Sequence, residues 1–202
     1  MIAIIDYDAG NIRSVEKALE YLGQQVCITR EPDKLLQADH VILPGVGAFG
    51  DAMNKLNQYQ LVPVIREIVK KKIPFLGICL GLQLLFEESE EAPGISGLGL
   101  LPGRIIRIPD NQGLKVPHIG WNSLKLPNEG RLFKGISENS FVYFVHSFYL
   151  HASERTIVTA TTDYATLIDA SVEKDNVFGC QFHPEKSSAT GLQILKNFIK
   201  VS

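Results

Sequence analysis

The sequence is poor in several features that would place it quickly. It has three cysteines, Cys27, Cys79 and Cys180, an odd number without close pairing. That argues against a disulfide framework and fits a reducing cytoplasm. No apolar stretch approaches the ~20 residues needed to cross a bilayer. The opening run MIAII is cut by Asp6 and has no basic leader, so neither a signal peptide nor a membrane contact is expected. An excess of either charge is also missing: 20 Lys plus Arg stand against 22 Asp plus Glu, a formal charge of −2. The general basic footprint of a nucleic-acid binder is therefore absent, although a local patch is not excluded. Repeats, low-complexity tracts and long linkers are lacking as well. What is present is ordinary for a folded chain: 202 residues, 45% hydrophobic and 21% charged, enough for a sizeable core and incompatible with a disordered or collagen-like chain.

Through the first half, short apolar runs alternate with helical spacing. Ile2 to Ile5 predicts a strand, ended by Asp6. Ile12, Val15, Ala18, Leu19 and Leu22 share one face of a helix over Asn11 to Leu22, with Gly23 placed to stop it. Gln25 to Thr29 and His40 to Leu43 predict two more strands, the second closed by Pro44-Gly45. Ala52 to Lys72 reads as helix interrupted around Pro63, Ile73 to Ile78 as a fourth strand, and Leu80 to Glu87 as a helix. Such alternation predicts a parallel sheet covered on both faces.

The second half changes character. Short strands are predicted at Arg104 to Ile108, Phe141 to Val145, Thr156 to Thr161, Thr166 to Val172 and Val177 to Phe182. Turn residues at Pro109-Asp110-Asn111 and Asp175-Asn176 separate some of them. A last helix spans Ala189 to Lys200. Glu87 to Gly97 reads as an exposed acidic loop with solvated charges. The expectation is a single α/β domain over residues 1–202, with a largely parallel central sheet flanked by helices and an antiparallel extension.

Gly77-Ile78-Cys79-Leu80-Gly81 follows an apolar run and precedes a helical pattern. A nucleophile on a strand-to-helix turn projects from the sheet edge, and small flanking residues permit the close chain approach. The helix N-terminus places partial positive charge near the sulfur, favouring the reactive thiolate. Leu80 N–H, following the nucleophile, is a candidate oxyanion donor. Taken singly, a cysteine on a turn is most often a small buried hydrophobe; Cys27 and Cys180 are read that way, as strand-core residues.

Such a nucleophile needs a base. Gly179-Cys180-Gln181-Phe182-His183-Pro184-Glu185 puts His183 at a strand end and Glu185 two residues on, where both side chains can point to one side. A carboxylate there can hold the imidazole tautomer and stabilise its charged form. An exposed His beside a solvated Glu is the plainer alternative. His40, His118 and His151 lack a comparable setting, and His146 is left open.

These two segments resemble the signature pair of class I glutamine amidotransferases, and Leu43-Pro44-Gly45-Val46-Gly47 is similar to that family's glycine-rich oxyanion loop. Asp6 to Asn11 with Arg13-Ser14, Pro44 to Phe49, His118-Ile119-Gly120-Trp121-Asn122 and Tyr143-Phe144-Val145-His146-Ser147 resemble those members that serve a cyclase in histidine biosynthesis. The resemblance covers essentially the whole chain and implies a flavodoxin-like α/β fold. It implies that Cys79 attacks the side-chain amide of L-glutamine, that His183 shuttles the proton and that Glu185 orients His183. Val46, Gly47 and Leu80 fall at the oxyanion hole; the Val46 N–H is expected to swing in as the peptide between Gly45 and Gly47 rotates. Gly47, Gln83, Ser147 and Phe148 fall where the family contacts substrate.

The resemblance further implies a cyclase partner of (β/α)8-barrel type. That partner would use the ammonia to form imidazole glycerol phosphate and an aminoimidazole carboxamide ribonucleotide. Asn11, Trp121, Tyr143, His146 and Lys186 match interface positions. No cofactor and no metal are implied. Three alternatives stand beside this: a glutaminase for another synthase, a non-catalytic binding module of the same fold, and a Cys-dependent peptidase.

Overall fold

The computed structural model describes residues 1–110 and 113–202; the turn expected at Pro109-Asp110-Asn111 reaches Asn111, outside the described residues. The first half is built as the periodicity predicts. The elements are β1 (Ile2–Ile5), α1 (Ile12–Tyr21), β2 (Val26–Thr29), α2 (Pro32–Leu36), β3 (His40–Leu43), α3 (Phe49–Gln58), α4 (Leu61–Lys70), β4 (Phe75–Ile78) and α5 (Leu80–Leu84). There follow β5 (Glu88–Ser89), β6 (Gly103–Arg107), β7 (His118–Ser123), β8 (Phe141–His146), β9 (Phe148–Ala152), β10 (Val158–Tyr164), β11 (Thr166–Lys174), β12 (Val177–Cys180) and α6 (Ser188–Ile199).

The main sheet runs in the order β2-β1-β3-β4-β12-β11-β9-β6-β5, with β10 on β11. From β2 to β12 every pairing is parallel; β12, β11, β9 and β6 then pair antiparallel. Every residue of β1, β3, β4 and β12 is buried, which is why these strands read as unbroken apolar runs. Their residues alternate between two cores. Ala3, Ile5, Val41 and Leu43 pack with Phe49, Leu56, Ile65 and Ile68 of α3 and α4. Ile2, Ile4, Ile42, Leu76 and Ile78 pack with Val15 and Leu19 of α1 and Ile194, Leu195 and Phe198 of α6. The result is a sheet between two helical layers. Full burial of one such aliphatic side chain contributes about 1.5–3 kcal/mol.

Several expectations are corrected. Cys27 is half-buried, not core, because β2 is the sheet edge. The helix over Ala52 to Lys72 breaks at Gln60, which adopts φ 55°, rather than around Pro63. Pro63 sits in the first turn of α4, where backbone N–H groups have no intrahelical partner to lose. Helix α5 ends at Leu84, short of Glu87, so less helix dipole backs Cys79 than expected. Strand β12 stops at Cys180 rather than Phe182, and Arg155–Ile157 form a 3-10 turn before β10.

The acidic segment is not merely solvated. Glu87 and Glu90 accept the Gly103 and Arg107 N–H groups, and Glu91 caps α3 through the Phe49 N–H at 2.8 Å. Four elements were unforeseen: α2, β5, β7 and β9. Among the described residues, strand β7 pairs only with β8, in a two-stranded ribbon outside the main sheet. Strand β9 follows β8 after the single residue Ser147.

Candidate active site

The carboxyl ends of β1, β3, β4 and β12 lie side by side, the edge of an open α/β sheet where ligands bind. Cys79 follows β4 with φ 56° and ψ −109°, a conformation that costs a non-glycine residue of order 1–3 kcal/mol. Its neighbours explain how that strain is held. A Cβ on Gly81 would stand 1.9 Å from the Leu43 carbonyl oxygen, and one on Gly77 would stand 2.5 Å from that of Gly81. Only glycine lets the turn press this closely on β3. The Cys79 N–H is tied to Cys180 O at 2.8 Å. Its Sγ lies 3.9 Å from Val145 O and 3.8 Å from the Gln181 side-chain nitrogen.

His183 follows β12 and is fixed by polar contacts. Its N–H donates to Tyr143 O at 2.9 Å. Ser187 Oγ donates to His183 O at 2.6 Å and accepts the Tyr143 N–H at 2.9 Å. His183 Nδ1 meets Glu185 Oε1 at 2.8 Å, with both side chains out of solvent. Asn11 Nδ2 donates to the same carboxylate oxygen at 2.5 Å and stands 3.3 Å from Nδ1. His183 Nε2 and Glu185 Oε2 have no hydrogen-bond partner of ordinary geometry among the described residues. Burial opposes protonation of His183, but the nearby Cys79 sulfur and the hydrogen-bonded Glu185 carboxylate outweigh it and lift the pKa to about 9.

Cys79 and His183 face a cavity of about 300 Å³, which also takes in Val46, Gly47, Leu80, Gln83, Ser147 and Phe148. The expected catalytic, oxyanion and substrate residues outside the cavity lining reduce to Glu185, buried behind His183. A larger hollow of about 760 Å³ between Leu126 and Lys134 contains no nucleophile. Tyr7 donates to Pro44 O at 2.8 Å and pins the start of the Val46 loop; burial, then the nearby Cys79 sulfur, pushes its phenol upward. Gly47 has φ 98°, and the exposed Val46 lies between it and Gly45.

The five expected interface residues divide. Trp121 is exposed and packs edge-on against Tyr143, ring centroids 6.2 Å apart, on the outer face of the ribbon. Ile119 and Phe141 add apolar surface there, and Lys186 is exposed beside His183. Asn11 instead reaches the Glu185 carboxylate, and His146 is buried in the cavity wall. Gln181, Ser187, Glu91 and Tyr7 were not singled out in the sequence. Gln181 had a usable signal, a polar residue in the apolar run before His183; it is fully buried and accepts the Gln83 amide at 3.0 Å. His118, read as unremarkable, is buried and bonded to His146.

The model of the family glutamine amidotransferase class-I matches residues 3–201. Among curated relatives, the imidazole glycerol phosphate synthase subunit HisH of Moorella thermoacetica is 53% identical over 197 residues, 98% of this chain and 93% of that one. The HisH subunit of Methanocaldococcus jannaschii is 50% identical over the whole of both chains. Among solved structures, PurLQS from Thermotoga maritima superimposes with TM-score 0.79 at 20% identity, covering 98% of this chain and 96% of that one. A crystal structure described as glutamine amidotransferase gives TM-score 0.78 at 19% identity, covering 99% and 98%. At those identities the two structures speak for the fold alone.

Proposed function

The chain belongs to the class I glutamine amidotransferase family, and from that premise we propose that it hydrolyses L-glutamine and passes the ammonia to a cyclase subunit. Its HisH relatives are subunits of imidazole glycerol phosphate synthase. The chain is read as that glutaminase subunit in histidine biosynthesis, acting as one domain in the cytoplasm with a (β/α)8-barrel partner. The observation that carries the proposal is the strained Cys79 turn and the His183–Glu185 pair on one cavity.

The Cys79 thiolate attacks the amide carbon of the glutamine side chain, forming a carbon–sulfur bond while the carbonyl electrons move to oxygen. The Leu80 N–H, at the first position of α5, and the Val46 N–H, once the Gly45–Gly47 peptides rotate, are the donors for that oxygen. Losing one such donor costs ~2.7–4 kcal/mol of transition-state stabilisation. His183, holding the proton taken from the thiol, gives it to the leaving nitrogen, and ammonia departs. Water then attacks the glutamyl thioester, with His183 as base, releasing glutamate and restoring the thiol. Gln83 and the Ser147–Phe148 segment receive the amino-acid end of the substrate.

The exposed apolar face of the ribbon, with Trp121 and Tyr143, supports a docking role, since aromatic residues are enriched in interface cores. The test is ammonia release from glutamine by the chain alone and with the cyclase and its ligand. The expected result is very low basal activity that rises on assembly, and a loss of about 10³-fold or more in Cys79→Ala. High activity in the isolated chain would contradict the partner-controlled reading. Full activity in Cys79→Ala would end the mechanism.

A further inference from the structure

Behind the cavity, β7 and β8 pair His118 with His146 across the ribbon. Both rings are buried, and neither takes part in the chemistry above. Their hydrogen bonds can be given a direction. His146 Nδ1 lies 2.9 Å from Phe148 O, which only accepts, so Nδ1 carries the proton and Nε2 is a lone pair. That lone pair lies 3.0 Å from His118 Nδ1, which must therefore donate. His118 Nε2 is then left as an acceptor, and Asn122 Nδ2 stands 3.4 Å from it.

The Asn122 end fixes the same direction independently. Asn122 Oδ1 accepts the Ser123 N–H at 2.8 Å, and Nδ2 donates to Asp163 O at 3.0 Å. A flipped amide would set donor against donor and acceptor against acceptor, so Nδ2 is the atom that faces His118. Both histidines are thus neutral, because a second proton on either ring would oppose two N–H groups. Burial agrees with this, holding His118 down to about 4. It holds His146 down to about 3, against the Phe148 hydrogen bond and reinforced by the charge of His183. His118 is also clamped flat between Phe144 and Tyr164, with ring centroids at 4.8 and 3.9 Å.

The chain ends on a carbonyl that matters to the pocket. Phe148 O also accepts Gln83 Nε2 at 2.9 Å, so its two lone pairs are both engaged. We propose that Asn122, His118 and His146 are positioning residues, a one-way hydrogen-bond chain that holds the Phe148 carbonyl and Gln83, and so the pocket wall, from the ribbon that carries Trp121. The proposal rests on the reading of the cavity as the glutamine site and adds to it the means by which the ribbon sets that site.

Nitrogen-15 NMR of the histidine-labelled chain tests the direction without any assay of activity. Both His118 and His146 are expected as neutral Nδ1–H tautomers at pH 7; an Nε2–H tautomer or an imidazolium at either position overturns the chain. In the complex with the cyclase, His118→Phe keeps a flat ring between Phe144 and Tyr164 but removes the donor. Its KM for glutamine is expected to rise about three- to tenfold, the worth of one hydrogen bond, with little change in kcat. His118→Asn, which returns an N–H near the Nδ1 position, is expected to recover most of the loss. An unchanged KM in His118→Phe, or equal loss in both variants, overturns the positioning role. Nδ1–H tautomers in a wild-type complex that hydrolyses no glutamine would leave the chain standing and remove the reading of the pocket instead.

Discussion

The strand end that carries Cys79 is held by backbone packed on backbone, whereas the strand end that carries His183 is held by side chains. On the first side, Gly81 lets the turn lie against β3 and Gly77 lets the start of α5 fold back on β4, with no room for another carbon at either. On the second, Glu185, Asn11 and Ser187 grip the imidazole and its peptide through hydrogen bonds. The difference suits the two tasks proposed for them. A nucleophile has to stand in one strained place, and steric exclusion enforces that. A base has to keep a tautomer and exchange a proton, and only polar partners control that. Damage to the first side should therefore be lost fold, and damage to the second should be lost rate in a chain that still folds.

The sharpest way to break this contrast is Gly81→Ala. Its new carbon would meet the Leu43 carbonyl at 1.9 Å, backbone against backbone, with no flexible side chain to yield. The expected cost exceeds about 4 kcal/mol, seen in denaturant titration as a large fall in midpoint or as failure to fold. An alanine variant of near wild-type stability would refute the steric account.

Glu185→Gln should leave the fold intact and lower kcat/KM by roughly 10²- to 10³-fold, since the amide can no longer hold the charged imidazole. It also moves a pH limb. His183 is raised from 6.5 to about 9, so its pairing stabilises the folded chain fully below about pH 6.5 and is lost as pH rises through about 9. If, as proposed, the leaving ammonia takes its proton from His183, kcat/KM of the parent complex should fall as pH rises through that value. In Glu185→Gln the fall should come at lower pH, one of the groups that raise His183 being gone. A limb that stays in place would remove Glu185 from the role.

The smallest effect is expected for Asn11→Ala. Its hydrogen bond goes to a charged oxygen at 2.5 Å, and its loss should lower kcat by about tenfold while KM changes little. A rise in KM alone would assign Asn11 to the substrate instead of the carboxylate.

The same contrast decides what could be read from the sequence. β1, β3, β4 and β12 were legible because burial on both faces leaves continuous apolar runs, and the Cys79 turn was legible because close packing demands glycine at fixed offsets. His183 and Glu185 were visible because they are two residues apart. The rest of the support for His183 was not, since Asn11 reaches it across 172 positions and Ser187 acts through a backbone carbonyl. Strand β7 escaped notice because its inner face carries His118, Gly120 and Asn122, and its two apolar residues, Ile119 and Trp121, face outward. Strand β9 was hidden by its nearness to β8: the predicted strand stopped at Val145, and a single residue, Ser147, leaves no turn signal to announce another. His118 shows the limit of judging a histidine by its neighbours in sequence, because its partners come from β8 and β10.

The one-residue passage from β8 to β9 has a mechanical consequence. Ser147 is all the chain that separates the last strand of the two-stranded ribbon from the next strand of the ten-stranded sheet. A tilt of the ribbon, levered from Trp121, would reach Ser147 as a change in backbone torsions beside the cavity that Cys79 faces. A flexible tether of several glycines spliced in after His146 would uncouple the two bodies, leaving a catalyst deaf to whatever presses on its outer strands.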